Sequence, residues 1–274
     1  MKKITTFLIA VLAVFTWTTQ VFAQGFDHNY AAWDVQLKKH VKWLPDNKQS
    51  RVNYKGFIAD RADLAKTLES FSAVTPAQYA AFSKDQQLAF MINAYNAFTI
   101  ELILTKYPDL KSIKDLGTTF SSAWKKKFFK LLGEERNLDW IEHERVRPNI
   151  PGGGFQDPRI HVALVCASIS CPALPPEAFT AAKLDGQLEE GMKRFMSDKT
   201  RNRFADGKLQ VSSIFKWFKE DFEKGYKGFT KVEDVFAKYA DVLSTDTAAQ
   251  GQIRAKTVSI SHLDYDWSLN DAGR

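Results

Sequence analysis

Cys166 and Cys171 are the chain's 2 cysteines, and both fall in one run, Asp157-Pro158-Arg159-Ile160-His161-Val162-Ala163-Leu164-Val165-Cys166-Ala167-Ser168-Ile169-Ser170-Cys171-Pro172. A thiol attacks a carbonyl at neutral pH when a histidine takes its proton. His161 precedes Cys166 by an odd number of residues, so on an ideal strand the two project to opposite faces. His143 comes from another segment and carries no such restriction, which makes it the first choice as base for Cys171 or Cys166, with His161 second. Asp157 is placed either to orient His161 or to pair with Arg159, a neighbour on one face if the run is extended. Arg147 and Arg159 suit bidentate capture of a substrate carboxylate. The chemistry in view is covalent acyl transfer at an amide, ester or thioester carbonyl.

The same residues support a blander account. Two cysteines without a third form a disulfide by default in an oxidising compartment. Closing so short a loop contributes less than the usual ~2–4 kcal/mol, so such a bridge shapes the loop, and the protein is then a non-catalytic binding or scaffolding protein. His143, His161, Cys166 and Cys171 are zinc-ligand types, but their spacing matches no tight metal signature; neither a metal nor a cofactor is expected. Gly152-Gly153-Gly154 lacks the lysine and serine of a phosphate loop and reads as a flexible turn.

Elements must hold these groups in place. The run from Asp157 is too short for a helix and reads as a buried strand entering a loop. Ser83 with Gln86 makes a capping box and Pro108 marks an end. Between them an apolar stripe from Leu88 to Ile103, with Phe90, Ala94 and Ala97 on the other side, predicts a central helix covered on most faces. Asn93 and Asn96 sit three apart on its flank. Either amide is a candidate for a substrate carbonyl; bonding to a neighbouring loop is the favoured reading. Earlier, Tyr30, Trp33, Leu37, Val41 and Leu44 predict one amphipathic helix, Val52 to Tyr54 a short strand, and Leu64, Leu68 and Phe71 a second helix. Later, Pro175-Pro176-Glu177 opens a helix, Asp206-Gly207 turns a hairpin, Ile214 to Phe222 gives an aromatic face, a helix spans about Lys231 to Leu243, and Thr257 to Ile260 closes a sheet. Short strands among many helices give a helix-rich α+β domain with a small sheet.

Lys2 and Lys3, the apolar run Phe7 to Phe15 and Val21-Phe22-Ala23 predict a secretory signal peptide over residues 1–23, leaving a single domain over 24–274 in the periplasm or secreted. Its apolar run is well short of a membrane span, so no integral membrane association is expected. Removing Lys2 and Lys3 lowers the net charge from +6 to +4. That value gives no case for nucleic acid, and the cluster Lys125, Lys126, Lys127 and Lys130 reads as a solvated face. The expected partner is a small-molecule or peptide-like substrate. Oligomeric state has no signature here.

Several segments together resemble the family catalogued as domain of unknown function 547. They are Phe90-Met91-Ile92-Asn93-Ala94-Tyr95-Asn96-Ala97, His143 with Arg147, the run from Asp157 to Pro172, Phe215-Lys216-Trp217-Phe218 with Asp221-Phe222, and Tyr265-Asp266-Trp267-Ser268-Leu269-Asn270. The resemblance implies that the cysteine run and the asparagine helix belong together, and it implies no reaction. A papain-like or transglutaminase-like layout is an analogy of fold alone. In those enzymes cysteine usually precedes histidine along the chain, whereas His143 and His161 precede both cysteines here.

Overall fold

The computed structural model describes residues 25–119, 121–148, 150 and 154–273. The expected signal peptide and Gly152-Gly153 lie outside the described residues.

The first helix, α1 (Ala31–His40), ends earlier than its periodicity predicts, because the chain turns extended at Val41 and enters β1 (Val41–Trp43), antiparallel to β2 (Ser50–Val52). Asn53 accepts from the Gly56 N–H and caps α2 (Tyr54–Ala59), so Tyr54 is helical and not part of a strand. Helices α3 (Arg61–Ser72) and α4 (Pro76–Ala81) lead to α5 (Lys84–Leu104). At its start Ser83 and Gln86 cap each other reciprocally. From Leu88 to Leu104 every residue except Glu101 is buried, so α5 is the axis of a first apolar cluster. Among the described residues it alone is long and apolar enough to cross a membrane, and 89% of that stretch is buried inside the protein.

Beyond α5 a hairpin of β3 (Phe129–Leu131) and β4 (Glu134–Arg136) stacks Phe129 on Phe98 at 3.9 Å between ring centroids. A second apolar cluster collects Met192, Phe195, Phe215, Phe222 and Phe236. It is built from α6 (Leu184–Ser197), β5 (Arg203–Ala205), β6 (Lys208–Ser212), α7 (Ile214–Trp217), α8 (Val232–Lys238), α9 (Ala240–Leu243), α10 (Thr247–Arg254) and β7 (Ser259–Leu263). Asp206 and Gly207 both take positive φ, the conformation that a tight two-residue hairpin turn requires, and join β5 to β6. β7 then pairs parallel with β6, completing the small sheet. The α+β class holds, with helices dominant.

Two further expectations fail for identifiable reasons. The run after Asp157 is not a strand: Pro158–Val162 is a 3-10 turn whose start is capped by the Asp157 side chain accepting from the Arg159 N–H. Aspartate followed by proline is a helix-start signal, and here it outweighs the apolar composition. Pro175-Pro176-Glu177 opens no helix; α6 begins at Leu184, and the chain before it is held irregular by Gln187, which donates to the Ala178 carbonyl and accepts from the Thr180 N–H. The 3-10 turn runs along the boundary of the two clusters, with Ile160 in the first and Val162 in the second.

Candidate active site

The asparagines of α5 fix the loops on either side of the site. Asn96 donates to the Ala163 carbonyl at 2.9 Å and accepts from the Val165 N–H at 2.9 Å, clamping the backbone just before Cys166. Asn93 does the same for Phe179, donating to its carbonyl at 2.7 Å and accepting from its N–H at 3.0 Å. Both side chains are buried, and these backbone bonds occupy both ends of each amide. They are therefore positioning residues, and neither is placed to meet a substrate carbonyl.

After the clamp the chain makes a left-handed step at Ala167, with φ of 61°, a conformation that is unfavourable for a residue with a Cβ. The segment near the C-terminus holds the step in place. Asn270 N–H donates to the Ala167 carbonyl, Ile169 N–H to Ser268, and Ser170 N–H to Asp266. This pairing lays Tyr265 and Trp267 against the cysteine loop. Cys166 Sγ then lies 3.1 Å from Ser168 Oγ and 3.2 Å from the Tyr265 hydroxyl. Burial alone would push the Cys166 thiol up, but hydrogen bonds from Cys171, Ser168 and Tyr265 outweigh it and bring the thiol down to about 7. Cys171 lies beneath, 3% exposed, and accepts the Cys166 N–H at 2.9 Å. Burial and the neighbouring Cys166 sulfur push its thiol well up. Both are free thiols, so no bridge staples this loop.

His161 sits on the 3-10 turn with Nε2 2.7 Å from Asp221 Oδ2, and Phe218 stacks on its ring at 4.0 Å. Asp221 is 0% exposed and also takes a forked pair of bonds from Arg147, at 2.7 Å and 3.0 Å. Two charge-assisted partnerships hold this carboxyl below the usual range against the opposing effect of burial. Burial, reinforced by Arg147 and His143, pushes His161 the other way, toward the neutral ring. A neutral ring that donates from Nε2 to Asp221 leaves Nδ1 as an unprotonated acceptor.

His143 belongs to a π-helical turn, Trp140–Val146, in which the Arg147 N–H reaches back five residues to the Glu142 carbonyl. The extra residue of such a turn changes which side chains share a face, and both Glu142 and His143 reach the cavity. Arg147 donates to His143 Nδ1 at 3.0 Å. Glu142 is buried, and its carboxyl Oε2 accepts from the Tyr95 hydroxyl at 3.0 Å, while Tyr95 in turn accepts from Trp124 Nε1 at 3.2 Å. Burial pushes the Glu142 carboxyl up. Gly154, at φ of 77°, lets the following chain pass against this turn: a Cβ there would stand 2.1 Å from the Arg147 carbonyl. This glycine is a packing residue, where the triple glycine read as a flexible turn.

These groups share one cavity of about 190 Å3, floored by Cys166, Cys171, His161 and Tyr95 and walled by Trp124, Trp217, Phe218, Tyr265 and Trp267. Four of the residues marked by sequence meet there, namely Cys166, Cys171, His143 and His161, and Arg147 stands behind them on Asp221. Asp157 and Arg159 do not join them. Asp157 grips Arg159 through both carboxylate oxygens, and Arg159 also bonds Asp185 and Glu189 of α6, so this aspartate closes an ion cluster and does not orient His161. Asp221, Glu142, Tyr95 and Tyr265 were not singled out for a role in the sequence. Asp221 had one available signal, as an acidic residue within the aromatic run Phe215 to Phe222. Among the described residues no group of three or more histidine, cysteine, aspartate or glutamate side chains could hold a metal ion.

Residues 79–196, which span α5, the π-helical turn and the cysteine loop, match the model of a family described as "Protein of unknown function, DUF547". No curated protein and no solved structure matches the chain.

Proposed function

We propose that the protein, whose residues 79–196 match a family that carries no reaction with it, is a thiol-dependent hydrolase or acyltransferase acting on an amide, ester or thioester carbonyl. The observation that carries this reading is the meeting of a partly exposed Cys166 and a carboxylate-held His161 in one aromatic-walled cavity. Cys166 is the nucleophile, since Cys171 is buried beneath it with its thiol pushed up. His161 replaces His143 as the favoured base, because only His161 has a buried carboxylate fixing its tautomer. Asp221 is its positioning residue. The Tyr265 hydroxyl, beside the sulfur, is the donor for the developing carbonyl oxyanion. Glu142, whose buried carboxyl is pushed up and which lines the same cavity, is the group assigned to supply a proton to the leaving group. The expected leader places this activity in the periplasm or outside the cell.

The test uses p-nitrophenyl and thiophenyl esters of short acids with wild-type protein, Cys166→Ser and Cys171→Ser. Release of the leaving group with an acyl mass adduct on Cys166, lost in Cys166→Ser and kept in Cys171→Ser, is expected. If wild type forms no adduct and turns over no faster than Cys166→Ser between pH 6 and 9, the acyl-transfer reading is wrong.

A further inference from the structure

Cys171 has no part in the chemistry above, yet it occupies a specific place. Its sulfur accepts the Cys166 N–H at 2.9 Å. Both cysteines line the cavity, but Cys166 is partly exposed and Cys171 only 3% exposed, which is the arrangement of a thiol that meets an oxidant and a second that answers it.

We propose that Cys166 is a site of reversible oxidation by hydroperoxides and that Cys171 is its resolving thiol. The inference rests on Cys166 being the reactive thiol, and it stands whether or not that thiol also attacks acyl groups. In the first step the Cys166 thiolate attacks the terminal oxygen of a hydroperoxide; an S–O bond forms, the O–O bond breaks, and the alkoxide leaves with a proton as alcohol. Cys166 is oxidised by two electrons to the sulfenic acid. In the second step the Cys171 sulfur attacks the Cys166 sulfur, the S–S bond forms, and hydroxide departs with the Cys171 proton as water. The balance is two thiols and one hydroperoxide giving one disulfide, one alcohol and one water. The left-handed step at Ala167 lies within the loop that closes, and the Tyr265 and Ser168 hydroxyls at 3.2 Å and 3.1 Å stabilise the attacking thiolate.

The experiment is intact-mass analysis of wild-type protein, Cys171→Ser and Cys171→Ala after graded hydrogen peroxide, without any acyl substrate, followed by peptide mapping. Wild type is expected to lose two hydrogens, with Cys166 joined to Cys171, and to recover fully with dithiothreitol. Both variants are expected to gain two or three oxygens on Cys166, irreversibly, at peroxide concentrations that leave wild type recoverable. Accumulation of sulfinic Cys166 in wild type with Cys171 still alkylatable overturns the proposal, as does equal over-oxidation of all three proteins. Because no ester is involved, a missing acyl adduct and a missing disulfide are separate results.

Discussion

His161 Nε2 lies 2.7 Å from Asp221 Oδ2 although 60 positions separate the two in the chain, and the same oxygen takes the Arg147 Nε bond at 2.7 Å. One fully buried carboxylate therefore holds a ring from the 3-10 turn and a guanidinium from the end of the π-helical turn. The site is assembled across the boundary of the two apolar clusters, and this carboxylate is the polar joint between them.

Replacing that joint separates stability from chemistry. Asp221→Ala removes one partner of a buried ion pair and leaves the Arg147 guanidinium unmatched, so urea unfolding is expected to show a loss of about 3–5 kcal/mol. Asp221→Asn preserves shape but lets His161 take either tautomer, and ester turnover is expected to fall on the order of 10²–10⁴-fold, the scale of a general base lost. An Asn variant with unchanged turnover would remove His161 from the mechanism.

Tyr265 tests the thiol. The Cys166 thiol lies at about 7 because hydrogen bonds from Cys171, Ser168 and Tyr265 outweigh burial. Tyr265→Phe deletes one of these, and a bond to a charged group contributes about 1.5–3 kcal/mol, which corresponds to roughly one to two pKa units. Iodoacetamide alkylation of Cys166 followed against pH is expected to show its midpoint moved upward by that amount. A midpoint that stays put assigns the low thiol pKa to its other neighbours.

Asn96→Ala probes the clamp. The substitution orphans a buried carbonyl at Ala163 and a buried N–H at Val165, each costing about 1–3 kcal/mol. Because Val165 adjoins Cys166, alkylation of Cys166 should change along with the melting temperature. A destabilised protein with unaltered Cys166 reactivity would make the clamp a matter of core packing alone.

Legibility in the sequence followed the range of each interaction. The capping box at Ser83 and Gln86 and the Asp206-Gly207 turn are contacts over a few residues, so residue types alone announce them. Asn93 and Asn96 were legible as buried amides seeking loop backbone, because a buried amide on a covered helix must find partners. Asp157 misled because its nearest chain neighbour able to pair is Arg159, while the carboxylate that reaches His161 arrives from beyond the hairpin of β5 and β6. Tyr265 stood out only as part of a segment carrying the family resemblance and not as a thiol partner, since its place depends on the backbone pairing of residues 266–270 with the cysteine loop. Glu142 gave no signal, because it reaches the cavity from a π-helical turn whose side-chain spacing differs from that of an ordinary helix.

Glu142 makes the last prediction, and its sign follows from the direction of its shift. Burial raises the carboxyl in the folded protein, so between the ordinary glutamate value and the raised one the folded state binds more protons than the unfolded state. Stability must then fall as pH rises through that window, and the loss is complete above the folded value. Glu142→Gln keeps an acceptor for the Tyr95 hydroxyl and cannot ionise. Thermal melts should therefore show the variant close to wild type near pH 4, below the window, and more stable than wild type at pH 8, with the gap opening between. Turnover of a poor leaving group should move oppositely, falling in the variant because the proton donor is gone. If the two melting curves stay parallel from pH 4 to 8, Glu142 does not change its charge on folding, and its place as proton donor falls with that result.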